Sequence, residues 1–160
     1  MHAEQAARRA AMERLSPLVG EWNMESSLAP PGSMRARTVF EWALGGQFLV
    51  QRAEVEHPDV HDGLSVIAFD PHTQGFTQHY FDSRGVVRVY SMTFDGGVWT
   101  LQRDSPDFTP LDFAQRFVGE FSEDGASIRG RWETRSPDRS TWEKDFDLTY
   151  VKVARPSTGA

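Results

Sequence analysis

Four side chains have the types and spacing for shared chemistry. Tyr80 and Asp82 lie two apart on one segment, Arg88 and Tyr90 two apart on the next, and only Ser83-Arg84-Gly85 separates the segments. Residues two apart in a strand share a face, so a hairpin here sets two phenols, a carboxylate and a guanidinium on paired strands. If both faces turn into an enclosed space, the arginine can hold an anion while the phenols donate to it. A carboxylate or enolate fits that set, and Tyr80 or Tyr90 could then serve as a general acid or base. The plainer reading is a hydrogen-bonded cross-strand pair beside a turn.

The histidines offer less. His57, Asp59, His61 and Asp62 are all ligand types on one short stretch, but a loop fixes no coordination geometry. Pro58 and Gly63 mark it as an ordinary connector, so no metal is expected. With no cysteine, there is no disulfide, thiolate site or cysteine nucleophile. Neither a nucleophile elbow nor a phosphate loop is present. A formal net charge of −6 argues against nucleic acid, which needs clustered cations. No apolar run is long enough to cross a bilayer. The N-terminal stretch lacks the apolar core and cleavage site of a secretory signal, which reads as cytoplasmic.

These side chains need a scaffold, and the turn signals supply one. Residues 2–15 read as a helix whose stripe is mostly alanine (Ala3, Ala6, Ala7, Ala10, Ala11, Leu15), ended by Pro17. Ten strand-like segments follow, at 20–28, 34–44, 48–56, 64–70, 75–82, 86–95, 98–104, 113–122, 127–135 and 141–153. Their connections are short, with Gly45-Gly46, Asp70-Pro71, Ser83-Arg84-Gly85, Gly96-Gly97 and Asp124-Gly125 as punctuation. Sequential short connections give an up-and-down antiparallel meander, and ten strands without a lone edge most simply close into a barrel. The expectation is one all-β domain over residues 1–160, with a helix at 2–15 capping one mouth, the barrel at 20–153 and a tail at 155–160. Gly20 and Trp22 stand at the head of the first strand, where glycine permits a tight turn and tryptophan plugs the narrow end.

Alternation assigns several faces. On the last strand Glu143, Asp145 and Asp147 alternate with Trp142, Lys144, Phe146, Leu148 and Tyr150. Three buried carboxylates would be prohibitive, which turns Lys144 inward. The same logic turns Trp132, Gln115, Phe117, Phe40 and Trp42 inward. The middle strands mix polar and apolar residues on both faces. Such mixing suits an interior that holds water or a polar-headed ligand; the other reading is an outer apolar surface packed on a partner subunit, giving a homodimer.

Leu15-x-x-Leu18-x-Gly20-x-Trp22, Phe40-Glu41-Trp42 with Gly45-Gly46, His79 to Gly85, and Trp142 to Tyr150 together resemble a bacterial family of uncharacterised lipocalin-like (calycin) domains. Nitrobindin-type and fatty-acid-binding barrels are its more distant relatives. The resemblance implies an up-and-down barrel and no common activity. In lipocalins a late arginine packs over the Gly-x-Trp tryptophan, a part open here to Arg155 or Lys152. Nitrobindin-type barrels ligate haem through a histidine late in the chain; this chain has none after His79, so His79 reads as a hydrogen-bonded wall residue and no cofactor is expected.

The functional expectation is a barrel holding a small, mostly apolar molecule. Its candidate contacts are Trp42, Gln78, Tyr80, Arg88, Tyr90, Gln115, Trp132 and Lys144, with a carbonyl or carboxylate at Lys144, Arg88 or Gln115. The alternatives are an isomerase- or cyclase-type enzyme in the same cavity, and a structural dimer whose barrel is filled by Trp22, Trp42, Trp132 and Trp142.

Overall fold

A computed structural model describes residues 2–33 and 35–154. Met34, at the expected start of the second strand, and the expected tail at 155–160 with Arg155 lie outside the described residues. A helix, α1 (His2–Glu13), leads through one turn of 3-10 helix at Ser16–Leu18 into ten strands. These are β1 (Gly20–Ser26), β2 (Arg35–Ala43), β3 (Phe48–Glu56), β4 (Gly63–Asp70), β5 (Gly75–Asp82), β6 (Val87–Asp95), β7 (Val98–Arg103), β8 (Ala114–Phe121), β9 (Ser127–Arg135) and β10 (Glu143–Lys152). Every neighbour in sequence is an antiparallel neighbour in space, and β10 pairs with β1 to close the barrel. The expected strands end within two residues of these bounds.

Odd-numbered strands run toward one mouth and even-numbered strands away from it. The opposite mouth is plugged. Met12, Leu15, Leu18 and Trp22 are fully buried there, and the Trp22 indole N–H donates to the Leu18 carbonyl at 2.9 Å. The chain can enter β1 at this plug because Gly20 takes a φ of 130°, in the region glycine alone adopts freely. Lys152 closes over the plug, its Nζ 5.3 Å from the Trp22 ring centroid. Lys152 thus takes the place considered for a late cation.

The alanine stripe of α1 buries little: residues 2–10 are exposed, and the helix end packs through Met12 and the stripe's own Leu15. Alanine has too little surface to repay burial, whereas Met12 and Leu15 have enough. Two expectations need correction. Lys144 is not inside the barrel. A bulge at Asp145 shifts the register between Lys144 and Phe146, so Lys144 pairs with outward Glu133 and Phe146 with inward Trp132. The extra residue flips the alternation. Lys144 is 58% exposed and bonds Asp147 at 3.0 Å, while Trp142 lies between the guanidinium groups of Arg116 and Arg135 at 4.4 and 4.8 Å. Trp42 keeps the parity of inward Thr38 and Phe40, but it lies beyond Gly20 in register, at the rim of the plugged end, and is 36% exposed.

Candidate functional site

Above the plug the barrel is hollow. A cavity of about 650 Å³ opens at the mouth formed by the ends of the odd strands, a size that accommodates a small organic molecule. Its floor and one wall are aromatic. Trp99 sits at the bottom, 4.9 Å from Phe117 and 5.8 Å from both Phe40 and Tyr150, centroid to centroid. Phe117 continues to Trp132 at 5.3 Å and Trp132 to Tyr90 at 5.8 Å. Three of these contacts, Trp99 with Phe117, Trp99 with Phe40 and Trp132 with Tyr90, are edge-to-face, which holds the rings in fixed orientations.

That wall exists because two glycines make room for it. Gly119 and Gly130 face each other across β8 and β9. A β-carbon at Gly119 would lie 2.8 Å from the Phe117 ring, and one at Gly130 2.5 Å from it. Phe117 occupies the space those side chains would take.

The opposite wall is polar and uncharged. Inward positions of β2 to β5 bury Thr38, Gln51, Ser65 and Gln78. Gln51 Nε2 donates to Thr38 Oγ1 at 3.2 Å, Thr38 Oγ1 to the Arg52 carbonyl at 3.0 Å, and Gln78 Nε2 to Ser65 Oγ at 3.4 Å. Gln51, Ser65, Trp99 and Tyr150 line the cavity but were not among the candidates from sequence. The available signal was the parity of β3 and β4: Leu49 and Ile67 point inward, so Gln51 and Ser65 must too.

The β5–β6 hairpin turns the suspected four-residue set inward. Gln78 stands opposite Tyr90, and Tyr80 opposite Arg88. Gln78, Tyr80, Arg88 and Tyr90 line the cavity, as do Gln115 and Trp132; Asp82, Trp42 and Lys144 do not. The Tyr90 hydroxyl donates to Gln115 Oε1 at 3.3 Å. Burial, foremost, raises the Tyr90 pKa, with Arg88 working against the rise. Tyr80 donates to Asp82 Oδ2 at 2.9 Å, and burial followed by that bond pushes its pKa far above the ordinary phenol value. Burial would raise the Asp82 pKa, but bonds from Arg84 and Tyr80 outweigh it and hold the carboxyl well below the usual range. Asp82 therefore anchors Arg84 at 2.7 Å and lies 3.6 Å from His61 Nε2. Arg88 makes no ion pair among the described residues, and its Nε is buried without a partner. Gln78 Oε1 and Trp99 Nε1 are likewise buried and unpartnered, so three residues of the lining carry unsatisfied polar atoms.

A buried brace holds this wall. Before Ser91, residues 87–90 of β6 have no ladder partner in β7, and residues 105–112 fold into the gap. Asp107 accepts from Arg103 Nε at 2.8 Å and from the Val89 N–H at 2.8 Å, and Thr109 Oγ1 donates to the Val87 carbonyl at 2.8 Å. The Arg103 side chain is 3% exposed. The arginine, despite the opposing effect of burial, keeps the Asp107 carboxyl well below its ordinary pKa, helped by the Val89 and Thr109 N–H groups.

The histidines sort by parity. His79 points outward between Val66 and Val89 and does not line the cavity, whereas His57 and His61 stand at the mouth. Among the described residues no group of three or more His, Cys, Asp or Glu is placed to hold a metal.

A family model for proteins of unknown function, DUF1579, matches residues 8–128. The chain belongs to the DUF1579 family. The match runs from α1 to the start of β9, so it includes the polar wall, the β5–β6 hairpin and Phe117, and it ends before Gly130, Trp132 and Tyr150. No curated protein matches the chain. Among the described residues no helix is long and apolar enough to cross a membrane.

Proposed function

We propose that this DUF1579 barrel binds a small, mostly apolar molecule in its interior, in the manner of lipocalin-like carriers. The ligand's body lies against Trp99, Phe117, Trp132 and Tyr150, and its carbonyl or carboxylate end lies at Arg88 and Gln115. The observation that carries this reading is an open cavity of about 650 Å³ whose lining sets an aromatic wall beside Arg88, a cation that makes no ion pair among the described residues. The tryptophans named for a filled barrel leave the space open: Trp22 plugs the far end, Trp132 lines the wall, and Trp42 and Trp142 lie outside the cavity.

A second reading is catalytic, in the same cavity. It is favoured by Tyr80, a phenol kept protonated beside Asp82 with the guanidinium of Arg88 opposite. That set suits proton transfer to a substrate whose developing negative charge the arginine holds.

Titration with anilinonaphthalene sulfonate, an amphipathic anion that fluoresces in apolar surroundings, tests the proposal. Binding with one site per chain, weakened by Arg88→Gln and by Trp99→Leu, is expected. Absence of binding, or binding indifferent to both substitutions, contradicts it.

A further inference from the structure

The cavity has two unlike halves. Across β3 to β6 one register row sets Gln51, Ser65, Tyr80 and Arg88 side by side on the inner face, and all four line the cavity. Across β7 to β10 the facing row is Leu101, Phe117, Trp132 and Phe146, which line it too. An aliphatic carboxylate meets only part of this arrangement. Its charged end pairs with Arg88, but its methylenes then lie along Ser65 and Gln51. Polar groups that had bonded to water lose those bonds without replacement.

The polar row is specific in what it leaves open. Gln51 Nε2 donates to Thr38 Oγ1. Burial raises the Tyr150 pKa and Gln51 opposes the rise, the sign of a second donated bond. The Gln51 donors are thus spent on the protein, and its carbonyl oxygen keeps its capacity to accept. Ser65 Oγ accepts from Gln78 Nε2, which leaves its hydroxyl proton to donate. Tyr80 gives its proton to Asp82 and keeps lone pairs on its oxygen. Arg88 has only donors and a positive charge. From β6 to β3 the row therefore runs cation, acceptor, donor, acceptor. A ligand carbonyl satisfies only the donor, whereas a hydroxyl both donates and accepts and so satisfies any neighbouring pair.

We infer that the ligand is a flat ring system with an acidic oxygen at Arg88 and a hydroxyl on the same edge, its face against Phe117 and Trp132. The inference rests on the reading of the barrel as a small-molecule binder and adds the ligand's class. Rings stack on aromatic side chains in defined orientations. Neighbouring strands lie about 4.8 Å apart, so roughly 10 Å separates β6 from β4. Two fused rings with a carboxylate at one end and a hydroxyl at the other match that reach. The hydroxyl then accepts from Ser65 and donates to Gln51, which makes these two residues the determinants of specificity.

Displacement of anilinonaphthalene sulfonate by 6-hydroxy-2-naphthoate, 2-naphthoate and decanoate tests this. The hydroxynaphthoate should bind about tenfold more tightly than 2-naphthoate, the worth of one good hydrogen bond, and more tightly than decanoate. In Gln51→Leu the gap between the two naphthoates should close to about threefold or less. Ser65→Ala, a smaller change, should close it likewise and serves if Gln51→Leu fails to fold. Equal affinities for the two naphthoates, tighter binding of decanoate, or a gap that survives the substitutions overturns the inference and leaves a binder of one-ended molecules. Displacement by none of the carboxylates overturns the binding reading and this inference with it.

Discussion

The Phe117 ring lies so close to the backbone of Gly130 that a β-carbon there would be 2.5 Å from two ring atoms and 2.7 Å from the Leu148 carbonyl oxygen. The cavity's aromatic wall thus rests on the absence of one methyl group. Gly130→Ala should force Phe117 inward, destabilising the barrel by about 1–3 kcal/mol through overpacking and shrinking the cavity. Urea unfolding measures the first effect and titration of the sulfonate probe the second. Unchanged stability would mean that the wall accommodates the methyl without moving.

Arg103 and Asp107 make the second prediction. Removing one partner of a buried pair leaves the other charge uncompensated, at about 3–5 kcal/mol, so Asp107→Ala should destabilise by that order and loosen residues 105–112. Hydrogen exchange at Val89, whose N–H Asp107 accepts, should accelerate. The sign with pH follows from the depressed carboxyl pKa. The contribution is complete above the unfolded value of about 3.9 and fades as pH falls from there through the lower folded value. Wild type should therefore lose stability on acidification more steeply than Asp107→Ala; parallel acid profiles would contradict this.

All three tyrosines, Tyr80, Tyr90 and Tyr150, line the cavity, and burial heads the causes that raise each pKa. Alkaline titration followed by phenolate absorbance should show no phenol ionising at the ordinary value of about 10. Ionisation should come later, together with loss of the fold, because a folded pKa above the unfolded one makes stability fall as pH rises past the unfolded value. One phenol titrating normally in the folded protein would place that ring in solvent.

Lys152 over Trp22 predicts a small effect. A cation over an indole is worth about 0.5–1 kcal/mol at an accessible site, so Lys152→Met should lower stability by no more than that in urea unfolding. A loss of several kcal/mol would mean that the plug depends on this lysine.

Much of this fold was legible in the sequence because its turns are local. Gly96-Gly97 and Asp124-Gly125 mark chain reversals that no distant contact needs to enforce, and strict alternation on β8 and β9 fixed which residues face inward. What could not be read depends on three dimensions. The bulge at Asp145 leaves the alternation of charges on β10 intact, so Lys144 read as internal. Parity places Trp42 on the inner face but says nothing of its height along the barrel. The Arg103–Asp107 brace joins a strand end to a loop whose prolines signalled only that it could not pair as a strand. In the candidate site, the β5–β6 set was visible as two alternating pairs, whereas Gln51 and Ser65 are single polar residues on the otherwise apolar inner faces of β3 and β4 and show only through the inward parity of Leu49 and Ile67.

The central claim is an interior that holds a small molecule. The most direct measurement is the mass of the purified protein under native conditions, set beside its denatured mass, before and after incubation with medium-chain carboxylates. A retained extra mass, carried over from expression or acquired on incubation, is expected, lost on denaturation and reduced in Arg88→Gln. A bare native mass in both cases would contradict it.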